Sequence, residues 1–300
     1  SLKDRASELA IQHAHEQGKK TITAASTGNA GSSLAALSAY HGIESVVFAP
    51  ASAPPAKLTQ IRQHGAKLVP VDANYDTAFD LAYEWAISHG DYCRNTGINP
   101  ILAEGKKTVA LEIAEQNNWQ VPDHVFIPVG DGCIISGVFK GFFDLMGLGW
   151  TDSIPALHAV QAEGSAAIVD SLTRGGEISP VAARTIADSI SVDKPRDGDK
   201  ARRAILESGG LGFKVSDDEI LAAQKSLAES TGIFAEPAAA AAYAGFLQAA
   251  NKHIFGTNDK VVILITGSGL KDTASAQKLL DVVKPVKANL TDIEAFLKGK

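Results

Sequence analysis

The 300-residue chain predicts an α/β fold in which mostly parallel, twisted sheets are covered by helices. Two observations carry this prediction. Short β-branched runs alternate with amphipathic, helix-period stretches along most of the chain. Polar or glycine-rich turns follow several of the strand-like runs, at the ends where open α/β sheets bind ligands.

Taken in order, residues 4–17 read as a helix ended by Gly18, and 21–25 as a strand followed by the turn Ser26-Thr27-Gly28-Asn29. Residues 30–41 return as a small-residue helix, 45–49 as a strand, 55–64 as a helix and 67–71 as a strand. Residues 74–89 place Phe79, Ala82, Tyr83 and Ala86 at helical spacing, and 106–117 form another helix. A second series starts with a strand at 125–129, a glycine-rich turn and a helix running to about residue 145. A strand at 156–161 and a helix at 165–173 follow, then an irregular connection over 175–198 rich in Gly, Pro and Asp. Helices at 217–230 and 238–252, the latter alanine-rich and tightly packed, precede a buried-type strand at 260–266. The Pro122-Asp123 break divides a smaller domain, 1–122, from a larger one, 123–300.

Composition narrows the function. Hydrophobic residues make up 45% and charged residues 21%, as in ordinary globular chains. A net charge of −6 argues against a nucleic-acid partner, which calls for basic patches. No apolar run approaches the roughly 18–20 residues of a membrane span, and 261–265 is strand-sized. Two cysteines, Cys93 and Cys133, make neither a disulfide framework nor a zinc signature, so a reducing, cytoplasmic setting is expected. No signal peptide is visible, and because the chain starts at Ser1 without Met, a natural N-terminal segment is expected to precede it. His13 and His15 are two apart, do not share a helix face and make no metal pair. Glu84 and Glu112 read as solvated helix charges, Met146 and the tryptophans as core or edge packing.

Four segments could carry chemistry. In Ser1-Leu2-Lys3-Asp4-Arg5, Lys3 begins a helix, where the dipole disfavours its cation and lowers the amine pKa; a solvated terminal lysine is the plain alternative. In Ser26-Thr27-Gly28-Asn29-Ala30-Gly31, hydroxyls, an amide and free backbone N–H groups make an anion site at a helix start, with ordinary N-capping as the alternative. The turn Gly130-Asp131-Gly132-Cys133-Ile134 can approach a phosphate closely, yet its spacing fits neither G-x-G-x-x-G nor the P-loop. Thr266-Gly267-Ser268-Gly269-Leu270-Lys271-Asp272 puts the Thr266 hydroxyl at a strand's carboxyl end.

Together, in this order, the four segments resemble the threonine synthase family of fold-type II pyridoxal-phosphate (PLP) enzymes. Ser-Leu-Lys-Asp-Arg is similar to that family's Ser-Phe-Lys-Asp-Arg, Ser26–Asn29 to its Ser-Thr-Gly-Asn loop, and Thr266–Asp272 to its Thr-Gly-x-Gly-Leu-Lys-Asp segment. Gly130–Ile134 is similar to its phosphate cup, and Glu236-Pro237-Ala238 to a Glu-Pro-Ala segment. The resemblance covers about residues 1–280 and implies a two-domain fold, the smaller domain on the substrate side and the larger holding the cofactor phosphate. It implies that Lys3 forms the Schiff base with PLP and moves protons, and that Gly130, Asp131, Gly132, Cys133 and Ile134 cradle the phosphate. Asn29 would meet the cofactor's 3-hydroxyl, Thr266 its pyridine nitrogen, and Ser26, Thr27, Asn29 and Ala30 the carboxylate of an amino-acid substrate. The family's segment before the lysine is missing here, and a homodimer is implied.

The chain departs from the pattern at two places. Cys133 stands where the cup often has Asn. Leu102 lies where an Arg for the substrate phosphate is often found, and leucine cannot pair with a dianion; Thr96, Lys106 or Lys107 is the candidate replacement. The implied reaction is O-phosphohomoserine plus water to threonine plus phosphate. An ammonia-lyase, dehydratase or β-replacement enzyme on serine, threonine or a related amino acid is the alternative within enzymes. A degenerate cofactor- or anion-binding protein is the alternative outside them.

Overall fold

A computed structural model describes residues 1–26, 28–53 and 55–298, the side chains of 55 and 56 excepted. The chain opens with helix α1 (Lys3–Glu16) and strand β1 (Thr21–Ala25), followed by α2 (Asn29–His41), β2 (Glu44–Pro50), α3 (Pro55–Gln63), β3 (Lys67–Val71), α4 (Tyr75–His89) and β4 (Tyr92–Cys93). The strands form one parallel sheet in the order β3-β2-β1-β4. Helix crossovers are what parallel neighbours require. The α4 start illustrates the local cause: Asn74 Oδ1 accepts the Thr77 N–H at 3.0 Å, satisfying a donor the helix leaves open.

Helix α5 (Ile101–Gln116) then leads to β5 (His124–Pro128), α6 (Cys133–Gly147), β6 (Ala156–Ala162), α7 (Ala167–Arg174), α8 (Gly198–Glu207), β7 (Gly212–Val215), α9 (Asp217–Thr231), α10 (Pro237–Asn251) and β8 (Val261–Ile263). These strands make a second parallel sheet, β7-β6-β5-β8. Its centre is Phe126, Val160 and the alanines of α10, packed on one face, with Ile127, Ile135, Val138 and Phe142 on the other. Short helices α11 (Thr273–Gln277) and α12 (Leu290–Lys298) end the described chain, and α12 buries none of its residues.

Two glycines set the distances between three helices. A Cβ on Gly105 of α5 would collide with the Arg5 carbonyl of α1. A Cβ on Gly137 of α6 would come within 2.8 Å of Lys106 Cβ on α5. With no side chain at either position, α5 lies tightly between α1 and α6, and its buried face reaches the starts of both.

Several sequence expectations change. Helix α5 starts five residues earlier than expected, because Asn99 Oδ1 accepts the Ile101 N–H at 3.0 Å and nucleates the turn. Strands β4 and β7 and helix α8 were not anticipated. The expected buried strand at 260–266 is only Val261–Ile263, and it is half-buried because it pairs with β5 alone at the sheet edge. Glu112 is not simply solvated: Arg5 Nη1 and Nη2 donate to its two oxygens at 2.8 and 2.5 Å. Met146, Trp119 and Trp150 are surface residues, the tryptophans stacked edge to face at 4.7 Å.

Candidate active site

One cleft lies between the two sheets, at the carboxyl ends of β1, β4 and β5. It brings together Lys3, Ser26, Asn29 and Ala30 with the whole turn from Gly130 to Ile134. Thr27 lies outside the described residues.

Lys3 is the first residue of α1, so its amine stands at the positive end of the helix dipole. Burial brings its pKa down from 10.5 to about 8, and the charges of Lys106 and Arg94 push the same way against the carboxylate of Glu236. The backbone holds it in register: Leu2 N–H donates to Thr266 O at 3.0 Å.

The turn after β1 does two jobs. Ser26 Oγ accepts the Gly31 N–H at 2.8 Å and the Gly28 N–H at 3.2 Å, which is the capping role the sequence also allowed. Its own hydrogen remains a donor toward the cleft. Asn29 Nδ2 donates to Glu236 Oε1 at 2.7 Å, so a side chain of the first half is fixed by one of the second.

The turn after β5 leaves the start of α6 open. Gly132 is the N-cap at φ +94°, a left-handed conformation that favours glycine, and no side chain caps the helix. The first-turn N–H groups therefore point at the cleft with the helix dipole behind them, an arrangement suited to an anion. Burial raises the Asp131 carboxyl above its ordinary pKa, although its Oδ1 accepts the Arg196 N–H at 3.2 Å and Lys106 and Lys3 lie nearby.

Thr266 is joined to the site by its carbonyl, which accepts the Leu2 N–H beside Lys3. Its neighbour Gly267 leaves room for the Glu236 carboxylate, which a Cβ there would displace. Leu102 is fully buried in the apolar cluster with Ala6, Ile11 and Cys133, so its side chain offers nothing to a phosphate. Lys107 turns to Glu104 and Asp144 at 2.8 and 2.9 Å.

Sequence reasoning missed two groups. Arg94 follows β4 and is 2% exposed in the cleft wall; the strand before it is only two residues long and too short to stand out as periodicity. The segment Asp188–Val192, inside the expected irregular connection, lines the cleft. Ser165 Oγ holds it by accepting the Val192 N–H at 2.9 Å, and Lys57 pairs with Asp188. Farther along, Arg196 crosses to Asp76 at 2.8 Å and lies over the Phe79 ring at 4.4 Å.

Comparisons with known proteins agree with this geometry. Residues 1–267 match the family model described as pyridoxal-phosphate dependent enzyme. The chain is 38% identical to a threonine synthase of Methanocaldococcus jannaschii over 99% of its own length and 74% of the relative's. It is 39% identical to a threonine synthase of Methanosarcina acetivorans, covering 100% and 75%. Among solved structures, the processed form of threonine deaminase isoform 2 from Solanum lycopersicum superposes with a TM-score of 0.79 at 23% identity, over 93% of this chain and 78% of that one. That likeness shows a shared fold.

Proposed function

Because this chain belongs to the pyridoxal-phosphate-dependent enzymes, in the threonine synthase family, we propose that it converts O-phosphohomoserine and water to threonine and phosphate, with Lys3 as the cofactor lysine. The observation that carries the proposal is the placing of a partly deprotonated amine opposite an uncapped helix start in one cleft. The residues fit the cofactor. Gly130 and Gly132 leave the turn bare, and among the described residues no side chain caps the N–H groups of Cys133 and Ile134 and no carboxylate forms an ion pair with Lys3.

When bound, the cofactor supplies the electron sink for charge developing at the substrate's α-carbon. The chain's own residues orient and exchange protons. Lys3, poised near pH 8, can take a proton from the substrate Cα or Cβ and return it, since a base works best with a pKa near the working pH. The Ser26 hydroxyl and the start of α2 would receive the substrate carboxylate, with Ala30 lining the wall. Asn29, whose Nδ2 donates to Glu236 at 2.7 Å and to Ser189 Oγ at 3.4 Å, would stand beside the cofactor's 3-hydroxyl. Thr266, a neutral hydroxyl, would face the pyridine nitrogen, which does not enforce a positive ring. The segment 188–192 would line the wall beside the bound molecules.

The domain boundary we propose, 1–122 and 123–300, is supported by the two sheets lying on either side of it. A cytoplasmic location is supported by the free thiols of Cys93 and Cys133. No helix among the described residues is long and apolar enough to cross a membrane. A homodimer rests on family resemblance alone.

Borohydride treatment of protein loaded with PLP should fix the cofactor on Lys3, read by peptide mass spectrometry, and O-phosphohomoserine should release phosphate. Keto acid formed from threonine or serine without phosphate release rejects the threonine synthase reading. It supports the ammonia-lyase reading, which the burial of Leu102 favours.

A further inference from the structure

Three cationic side chains converge on the first turn of α6. Lys106 and Arg94 are each 2% exposed, and Lys3 feels the charge of both. Lys106 Nζ gives its hydrogen bond to the Cys133 sulfur at 2.7 Å, and burial keeps that thiol above its ordinary pKa, hence neutral. Arg94 directs Nε and Nη2 at one neutral hydroxyl, Ser7 Oγ, at 3.3 and 3.2 Å. No carboxylate forms an ion pair with either cation among the described residues. Carboxyl groups near the cluster are engaged elsewhere: Asp131 accepts from the Arg196 N–H, Glu236 from Asn29, and Asp197 pairs with Lys200 at 2.9 Å.

A buried cation without a counter-charge is strongly unfavourable. Here two such cations adjoin a helix start that no side chain caps, so the positive end of the helix dipole adds to their charge. The stem of Lys106 is fixed where it stands by its contact with Gly137. Chemistry of this kind is satisfied by a doubly charged, oxygen-rich anion, since guanidinium and ammonium groups supply several donors at once.

We propose that Lys106 and Arg94 form a side-chain site for a phosphoryl dianion beside the α6 N-terminus. This deepens, and rests on, the reading that the cleft handles phosphorylated ligands. The phosphoryl group can arrive on the cofactor or on the substrate. In either case Lys106 supplies the charge that Leu102, one turn earlier on the same helix face, does not.

The test is calorimetric titration of inorganic phosphate, PLP and pyridoxal (which lacks the phosphate) into wild type, Lys106→Met and Arg94→Met. Apoprotein should bind phosphate, and each variant should bind it about tenfold to hundredfold more weakly. If the site serves the cofactor, Lys106→Met weakens PLP by that factor and leaves pyridoxal unchanged, and holoprotein binds no phosphate. If it serves the substrate, holoprotein binds phosphate, the variants lose that binding, and PLP affinity holds. Lys106→Met should also raise the unfolding temperature of the apoprotein, because it removes an unpaired buried charge; this shows that the variant folds. Phosphate and PLP affinities within twofold of wild type in both variants overturn the site. Variant-sensitive phosphate binding in a protein that borohydride never links to the cofactor keeps the site and rejects the functional reading.

Discussion

Asn29, the first residue of α2, donates to Glu236, the residue before α10, at 2.7 Å, and this bond ties the two halves of the molecule at the cleft. Glu236 is 5% exposed, so losing its partner would strand a buried charge. We expect Asn29→Leu to lower unfolding stability by about 3–5 kcal/mol. Glu236→Gln, which keeps an oxygen acceptor, should cost much less, both read by urea denaturation of apoprotein. Equal losses in the two variants would contradict the role of charge in this pair.

The same carboxylate tunes the lysine. Glu236 raises the Lys3 pKa, while Lys106 and burial lower it to about 8. Capture of PLP needs the neutral amine, so its rate should rise as pH increases through about 8, well below the 10.5 of a free lysine. Glu236→Gln should move that midpoint down and Lys106→Met should move it up. Stopped-flow absorbance of the imine measures both; a midpoint near that of a free lysine would show Lys3 to be solvated.

His158 makes stability depend on acid. Its Nδ1 accepts the Leu211 N–H at 3.0 Å and its Nε2 faces His124 Nδ1 at 3.0 Å, so neither nitrogen welcomes a second proton. Burial and the neighbouring His124 bring its pKa from 6.5 to about 4. The unfolded chain binds that proton more readily between these values, so the contribution is complete above about pH 6.5 and is lost as pH falls toward 4. It should amount to about 3 kcal/mol. His158→Gln, which can still accept from Leu211, should flatten the slope of denaturation midpoints between pH 4 and 6.5.

Gly105 tests whether helix spacing positions the site. Gly105→Ala pushes a methyl into the Arg5 carbonyl and must separate α1 from α5. We expect a loss of about 1–3 kcal/mol in stability. The Lys3 capture midpoint should move toward 10.5 as Lys106 and Arg94 recede. Lost stability with an unmoved midpoint would confine Gly105 to packing.

Much of this architecture was legible in the sequence, for physical reasons that can be named. Strands 21–25 and 67–71 were bounded correctly because glycine or polar residues flank short β-rich runs. The four motif segments announced their turns through glycine and hydroxyl residues. Strand β8 misled because its apolar run, 261–265, looks like a sheet centre, and whether a strand is central or at the edge depends on distant partners. Arg94 was invisible for a related reason: its burial comes from α1, through Ser7, and from α6, through Cys133. Lys106 was one of three candidates, with Thr96 and Lys107, to replace an arginine at Leu102, and only packing against Gly137 and Cys133 singles it out from Lys107.

The bond from Leu2 to Thr266 also bears on how the protein is made. Lys3 leaves the ribosome before the rest of the cleft, yet the backbone that holds it in place is translated only after all eight described strands. Until Thr266 emerges, the amine sits on a helix with no second wall. Closing so long a loop is slow compared with forming α1 itself. The nascent chain therefore carries its reactive lysine unshielded while both sheets are made, and the segment after β8 acts as the latch that turns an ordinary lysine into a tuned one.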